Sequence, residues 1–321
     1  MDNMTYILFD NDDPNNRFID DLFDKVIVSP HKDRLIISWI LGAVQALKIS
    51  SKGDKIVCWY DFQAIILFWI SVLTFRKRQI ICLNILLKPK KSLKNKFVTY
   101  LYKIAFSSKR FYATVTSMKY GELINKMLQK DYKFYLLHDV YHDFYDIKYT
   151  GKVEHHTVFC GGRNGRDWDF MIKLAKEMPD VYFNIVVPQN VYEANIKWIP
   201  QNIRLKTNLT YRNFLIEMCK SEIVCLPLNT EAPAGLIVLF QSAANNKFII
   251  TTDTVTTSEY INASRGLAIP NEISHWKDAI ELAFNNTSEV EKKVKEMKAF
   301  MINQCDEISF RNSLKNILLK L

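Results

Sequence analysis

Apolar positions along the chain fall into short continuous runs separated by longer stretches in which they recur every three to four residues. The runs predict strands at 6–9, 26–28, 55–59, 79–87, 111–116 and 134–137,. The stretches between them predict helices at 17–24, 35–47, 62–75, 94–106 and 118–128,. After a polar link at 151–156 the alternation starts again, with strands at 157–160, 182–187, 203–205, 223–226 and 248–252 and helices at 168–178, 213–221 and 236–244. From Ser274 onward the pattern is helical only, ending in an amphipathic segment at 308–321. Strands that alternate with helices build parallel sheets with helices on both faces. Because the pattern restarts, the expectation is two facing Rossmann-like α/β domains, 1–151 and 152–304, with the final helical segment 305–321 after them. Ligands of such sheets bind beyond the carboxyl ends of the strands.

Composition fits this picture. The 321 residues include 48% hydrophobic and 13% aromatic side chains, enough for two cores,. The longest apolar run, 62–75, contains Gln63 and stops at Arg76, Lys77 and Arg78. It falls short of the roughly 20 residues that cross a bilayer, so it is expected to be a buried helix. The N-terminal residues turn acidic where a secretory signal would be apolar,. Six scattered cysteines without a CxxC pair fit reduced structural thiols in a cytosolic protein,.

Charge is unevenly placed. Between Phe62 and Gly121 there is no carboxylate, while Arg76, Lys77, Arg78, Lys88, Lys90, Lys91, Lys94, Lys96, Lys103, Lys109, Arg110 and Lys119 contribute +12 to a net charge of +9. A basic surface of this kind suits anionic lipid headgroups, nucleic acid or a polyphosphate.

Two stretches carry candidate chemistry, and both follow a predicted strand and open a helix. The first is Gly161-Gly162-Arg163-Asn164-Gly165-Arg166-Asp167-Trp168. Its glycines let the backbone approach a phosphate closely, and its two arginines can clamp a diphosphate. It lacks the GxGxxG spacing of dinucleotide sites, and a glycine-rich turn with solvated arginines describes it equally well. The second runs from Pro227 to Tyr260, where Ala234 and Gly235 lead into an apolar helix. The unpaired N–H groups and positive dipole end of that helix attract anions, although such a terminus is also common in purely structural settings.

Taken together, GGRNGRDWDFMIKLA, PAGLIVLFQSAANNKFIITTD, SEYI and RGLAIP resemble the donor domain of GT-B glycosyltransferases, especially the retaining group 1 family. The resemblance covers roughly 157–270, and the first half follows only in its strand and helix rhythm. It implies a GT-B arrangement in which 305–321 crosses back to pack on the first domain. It implies transfer of a sugar from a nucleoside-diphosphate sugar, without a further cofactor or metal, to a glycan or lipid-linked acceptor of surface-polysaccharide synthesis. Arg163 and Arg166 correspond to the basic pair that holds the donor diphosphate, Arg166 standing where lysine is usual. Gly162 lies beside them, and Gly235 and Leu236 offer N–H groups to the same diphosphate. Gln241 stands where a glutamate commonly binds the ribose. The first acidic position falls on Pro233, with Glu231 the nearest carboxylate. In the first half, Asp10, Asp61 and Asn84 at predicted strand ends are the expected acceptor-binding residues, and Asp61 the expected acceptor-orienting catalytic group. Asp61 reads equally as a helix N-cap.

Other features carry less. His138 and His142 with Asp139 and Asp143 hint at a metal site but show no third ligand pattern, and a loop or hinge describes them better,. His155 and His156 are expected in solvent and Trp168 in packing. The segment from Arg76 to Lys96, followed by Phe97, Tyr100 and Ile104, combines cationic and aromatic residues as interfacial helices do,. With the resemblance, it implies an anionic membrane surface and a cytoplasmic protein peripheral to the inner face of the cell membrane. No nucleic-acid-binding module is visible. Rivals are a GT-B-like binding or scaffold protein without turnover, given Pro233 and Gln241, and a basic nucleic-acid-binding protein.

Overall fold

The computed structural model describes residues 3–88, 93–196 and 198–321, with the side chains of 93–95 and 195 left out. Lys90 and Lys91 of the basic segment, and the side chain of Lys94, therefore lie outside the described residues. The chain divides into two compact units, Met1–Asp139 with Glu307–Leu321, and Val140–Asp306.

The first unit contains β1 (Thr5–Phe9), β2 (Lys25–Val28), α1 (Leu35–Ile49), β3 (Lys55–Cys58), α2 (Asp61–Leu73), β4 (Gln79–Cys82), α3 (Leu93–Ala105), β5 (Phe111–Val115), α4 (Met118–Leu128) and β6 (Tyr135–Leu136). The strands form one parallel sheet in the order β2-β1-β3-β4-β5-β6. Ile7, Leu8, Ile56, Val57, Ile80 and Ile81 are fully buried, as a parallel sheet covered on both faces requires,. Helices α1 to α4 lie side by side in sequence order. The C-terminal helix, Glu307–Lys320, packs on the segment between β1 and β2. There Phe310 meets Phe18 with ring centroids 5.5 Å apart, Arg311 pairs with Asp21, and Lys55 Nζ donates to the Leu318 carbonyl at 2.9 Å.

Two local expectations differ from the structure. The predicted helix at 17–24 is a 3₁₀ helix, Pro14–Leu22, started by Asp13, whose side chain accepts from the Asn15 amide. The predicted strand at 79–87 ends at Cys82, because Asn84 takes a positive φ of 43° and turns the chain off the sheet.

The second unit contains β7 (Glu154–Gly161), α5 (Trp168–Lys176), β8 (Tyr182–Val187), α6 (Gln189–Asn195), β9 (Ile203–Thr207), α7 (Tyr211–Lys220), β10 (Ser221–Leu226), α8 (Leu236–Ala244), β11 (Phe248–Thr252), α9 (Thr257–Tyr260), β12 (Leu267–Ile269), α10 (Ile273–Asn285) and α11 (Thr287–Gln304). Its strands are parallel in the order β9-β8-β7-β10-β11-β12. The period of two along each strand divides the core into two layers. Val158, Cys160, Ile223, Cys225, Phe248 and Ile250 face a layer with Trp168, Met171 and Trp276. Phe159, Val224, Leu226 and Ile249 face the other, with Leu236, Phe240 and Met301. Residues 140–151, read in the sequence with the first half, pack here: Tyr141 and Tyr145 join the second layer, and Asn245 Nδ2 donates to the Tyr145 carbonyl at 2.7 Å. All six cysteines are buried free thiols.

Candidate functional site

Strand order in the second unit reverses between β7 and β10, and open α/β sheets bind ligands at the carboxyl end of such a switch point,. The loop after β7 is Gly162 to Asp167, and the loop after β10 is Pro227 to Gly235. The structure zips them together: Asp167 N donates to Pro227 O at 2.9 Å and Asn229 N to Gly165 O at 3.0 Å. Asn271, from the turn after β12, clips both loops through Asp167 Oδ2 at 3.1 Å and Leu228 O at 3.0 Å. Thr252 completes the clip, accepting from Leu228 N at 2.7 Å and donating to Asn271 Oδ1 at 2.6 Å. Neither Asn271 nor Thr252 stood out in the sequence, since a polar residue at a strand end has no local signature.

Arg166 is the centre of this arrangement. Its side chain is only 5% exposed, held by Nε donating to Gly161 O at 2.8 Å and Nη1 donating to Asn164 O at 3.0 Å. Among the described residues it has no carboxylate partner. Burial lowers its pKa from the ordinary value, yet an arginine retains its charge,. Two glycines border the guanidinium. A Cβ on Gly162 would stand 2.5 Å from Nη2, and one on Gly235 would stand 3.2 Å from Nη1. Gly162 has φ +122° and Gly235 +80°, conformations that L side chains rarely adopt,.

Gly235 is also the N-cap of α8, so the amides of Leu236, Ile237 and Val238 have no intrahelical acceptor,. The helix N-terminus and the guanidinium thus bring positive potential to one spot. Gly162→Ala is expected to cost about 1–3 kcal/mol through backbone strain alone and to displace the guanidinium. A fall in the denaturant midpoint of the second unit, larger than that of Gly235→Ala, checks this.

The remaining donor-side candidates divide. Gln241, on α8, is 3% exposed; its Nε2 lies 3.5 Å from the Tyr211 hydroxyl, and its Oε1 is buried with no hydrogen-bond partner. Arg163 is exposed and forms no described hydrogen bond or ion pair, so the structure does not join it to Arg166. Glu231 is exposed, and its carboxylate accepts from Val255 N at 2.8 Å, which ties the loop to the turn after β11.

In the first unit, strand order reverses between β1 and β3, and Asp10, Asp61 and Asn84 follow β1, β3 and β4 at one carboxyl edge. Asp10 is half-buried, its Oδ1 is buried without a partner, and burial raises its pKa. Asn84 Oδ1 accepts from Thr114 Oγ1 at 2.9 Å. Asp61 is buried, and its pKa is raised by that burial. Its Oδ1 accepts from Phe62 N at 2.8 Å, and its Oδ2 from Leu86 N at 3.0 Å and the Tyr102 hydroxyl at 2.9 Å. It begins α2 as the first helical residue after the N-cap Tyr60 and braces α3 and the turn after β4. With both oxygens engaged, this carboxylate has the surroundings of a structural brace.

His142 is buried and stacks on Phe144, with centroids 5.1 Å apart. Among the described residues no group of three or more His, Cys, Asp and Glu is placed to hold a metal. His155 and His156 are exposed, and Trp168 is buried at the start of α5.

No protein-family model matches the chain, and no curated protein matches it in sequence. Solved structures do resemble it. Anabaena HepE, in complex with UDP-glucose, aligns with a TM-score of 0.73 at 10% identity, over 99% of this chain and 100% of HepE. WaaG, a glycosyltransferase involved in lipopolysaccharide biosynthesis, aligns with a TM-score of 0.59 at 10% identity, over 98% of each chain. Both alignments run through both units of this chain. The chain has the GT-B fold.

TarM of S. aureus adds a third likeness, with a TM-score of 0.65 at 14% identity, over 86% of this chain and 57% of TarM. Identities this low speak for the GT-B fold alone. Within that fold, the loops after β7 and β10 are where this chain places its buried arginine.

Proposed function

We propose that the chain is a glycosyltransferase that moves a sugar from a nucleoside-diphosphate sugar to a hydroxyl of a glycan or lipid-linked acceptor. The observation that carries this reading is Arg166: a buried guanidinium without a carboxylate partner, between two glycines at the N-terminus of α8. Burying a cation is costly unless an anion compensates it. A diphosphate that approaches over Gly162 and Gly235 supplies that anion.

As the bond between the anomeric carbon and the β-phosphate oxygen breaks, negative charge grows on the leaving diphosphate. Arg166 and the amides of Leu236 and Ile237 stabilise it in a preorganised, partly desolvated setting. Gln241, with its unpartnered Oε1, is assigned to the ribose hydroxyls, and exposed Arg163 to the outer rim of the diphosphate. The acceptor hydroxyl forms the new bond to the anomeric carbon and yields its proton to the released diphosphate. Asp10 and Asn84, at the carboxyl edge of the first sheet, are assigned to the acceptor. Positive charge from Arg166 and the helix dipole fills the role of a divalent cation in this scheme, and retention of anomeric configuration comes with the resemblance to the group 1 enzymes. HepE in complex with UDP-glucose is the solved structure that lends the donor assignment most support. WaaG lends support to a role in surface glycan synthesis.

A panel of UDP-, GDP- and ADP-sugars tests the proposal. One nucleotide class is expected to raise Tm, and release of its nucleoside diphosphate is expected to depend on added acceptor. A shift without release under any acceptor would instead identify a binding protein that has lost turnover, the reading favoured by Pro233 and Gln241. The absence of any shift would remove the donor site altogether.

A further inference from the structure

The two halves of the proposed diphosphate site ride on different loops. Arg166 belongs to the loop after β7, while Gly235 and Leu236 stand where the loop after β10 enters α8. Their separation depends on what ties the loops together, and Asn271 reaches both from a third position, the turn after β12. The backbone around Asn271 is itself fixed. The Ile269 carbonyl accepts from Asp253 N at 2.8 Å. The Pro270 carbonyl accepts from Glu272 N at 2.8 Å and from Nε1 of fully buried Trp276 at 3.0 Å. A side chain on so firm a support can hold two loops in register.

Each loop contact of Asn271 lands beside Arg166. Nδ2 donates at 3.1 Å to the carboxylate of Asp167, the residue that follows Arg166, and at 3.0 Å to the carbonyl of Leu228, which pairs with Arg166 across the loops. Thr252 fixes the orientation of the amide. Its hydroxyl oxygen already accepts from Leu228 N at 2.7 Å, so its own proton goes at 2.6 Å to Asn271 Oδ1, which leaves the NH₂ group for the two loops,. Asn229 adds a bond from Nδ2 to the Arg166 carbonyl at 3.1 Å. The guanidinium is held by carbonyls of its own segment, Gly161 and Asn164, so it moves with that segment and not with α8.

We infer that Asn271, oriented by Thr252, is a positioning residue of the donor site: it sets the placement of Arg166 against the N-terminus of α8, and through it the affinity for the donor's diphosphate. The inference rests on the sugar-transfer reading of this site. Asn271 acts through Arg166 and touches no reacting atom. Its bond to Asp167 is charge-assisted and therefore among the stronger kinds of hydrogen bond,. Groups that stabilise developing charge are effective because they are in place beforehand, and a misplacement of about 1 Å can cost on the order of 10²-fold in rate. A clip that served the fold alone would be indifferent to phosphate. Its loss would lower Tm and change the binding of nucleoside and diphosphate by the same factor.

Calorimetric titration of the full chain with the uridine, guanosine and adenosine diphosphates and their parent nucleosides tests it. Asn271→Ala is expected to weaken the diphosphate that wild type prefers by about tenfold and to leave its nucleoside within about twofold. In an Arg166→Met background the same substitution should change neither, because the group it acts through is gone. Asn271→Asp sets two carboxylates against each other and should bind the diphosphate more weakly still. Adding Asp167→Asn reverses that hydrogen bond while an amide still caps α5, and should recover about threefold or more of the loss,. Should Asn271→Ala fail to fold, Thr252→Val, which removes the proton donated to Asn271 Oδ1, is expected to give the same pattern. An undiminished preference for the diphosphate, losses equal for nucleoside and diphosphate, an undiminished effect in Arg166→Met, or no recovery in the exchanged pair overturns the inference. If Arg166→Met erases the preference and Asn271→Ala does not, this inference falls and the donor site stands. If wild type shows no preference for any diphosphate, both fall.

Discussion

Replacing Arg166 with alanine is expected to lower turnover of a nucleoside-diphosphate sugar by roughly 10²–10³-fold, the usual effect of losing one preorganised donor to a developing charge. The physical reason lies in how the side chain is held. Two backbone carbonyls orient the guanidinium before any ligand arrives, and the glycines at 162 and 235 keep a Cβ off its Nη1 and Nη2. Stability should move the other way. A buried charge without a partner is a liability, so Arg166→Met, which fills a similar volume, is expected to match or exceed wild-type Tm while remaining inactive. Arg166→Lys keeps the charge but cannot span both carbonyls, and should fall between them. An active Arg166→Met enzyme would show that the buried cation serves the fold alone.

Removing the Asp61 side chain is expected to have the largest effect on stability. Asp61→Ala leaves the amides of Phe62 and Leu86 and the hydroxyl of Tyr102 without their acceptor, at a cost of about 3–5 kcal/mol,. For a unit of this size that corresponds to a fall in Tm on the order of 10 °C. The pH dependence has a definite sign. Burial raises the Asp61 pKa above the ordinary aspartate value of 3.8, so the folded state holds this proton more tightly than the unfolded chain does. Its favourable contribution is complete below that value and is lost as pH rises through the raised folded pKa. Thermal denaturation from pH 3.8 upward should therefore show a decline that Asp61→Asn lacks. A wild-type Tm for Asp61→Ala, combined with lost transfer, would return Asp61 to the acceptor and remove it from the brace.

Most of the fold was legible because its signal is periodic. Short apolar runs bounded by turns locate nearly every strand, since a strand buried on both faces admits few polar residues. Boundaries set by single residues were not legible: Asn84 ends β4 through a positive φ, and nothing in the apolar run announces it. Nor does the sequence show that 140–151 belongs with the second unit, because the tie is a distant contact between Tyr145 and Asn245.

At the candidate site, the two glycine-containing loops were visible as motifs. What separates Arg163 from Arg166 was not. Both are arginines in one turn, but only Arg166 sits where the chain bridges to Leu228, and that pairing buries it. Glu231, the carboxylate nearest Pro233, accepts from Val255 N, a partner 24 residues away that the sequence does not announce. The apolar run 62–75 predicts a buried helix, yet Leu73 is 74% exposed and Phe75 is 89% exposed. Helices apolar on all sides are usually buried, and only three-dimensional structure shows which face lacks a cover.

The central claim is that Arg166 and the N-terminus of α8 hold a diphosphate. Calorimetric titration of the nucleoside diphosphates of uridine, guanosine and adenosine, each beside its parent nucleoside, tests it most directly. One diphosphate should bind at least about tenfold more tightly than its nucleoside, a difference of roughly 1.4 kcal/mol, and Arg166→Met should erase that difference while leaving the nucleoside's own weak binding in place. Equal affinity for nucleoside and diphosphate, or a difference that survives in Arg166→Met, would contradict the account.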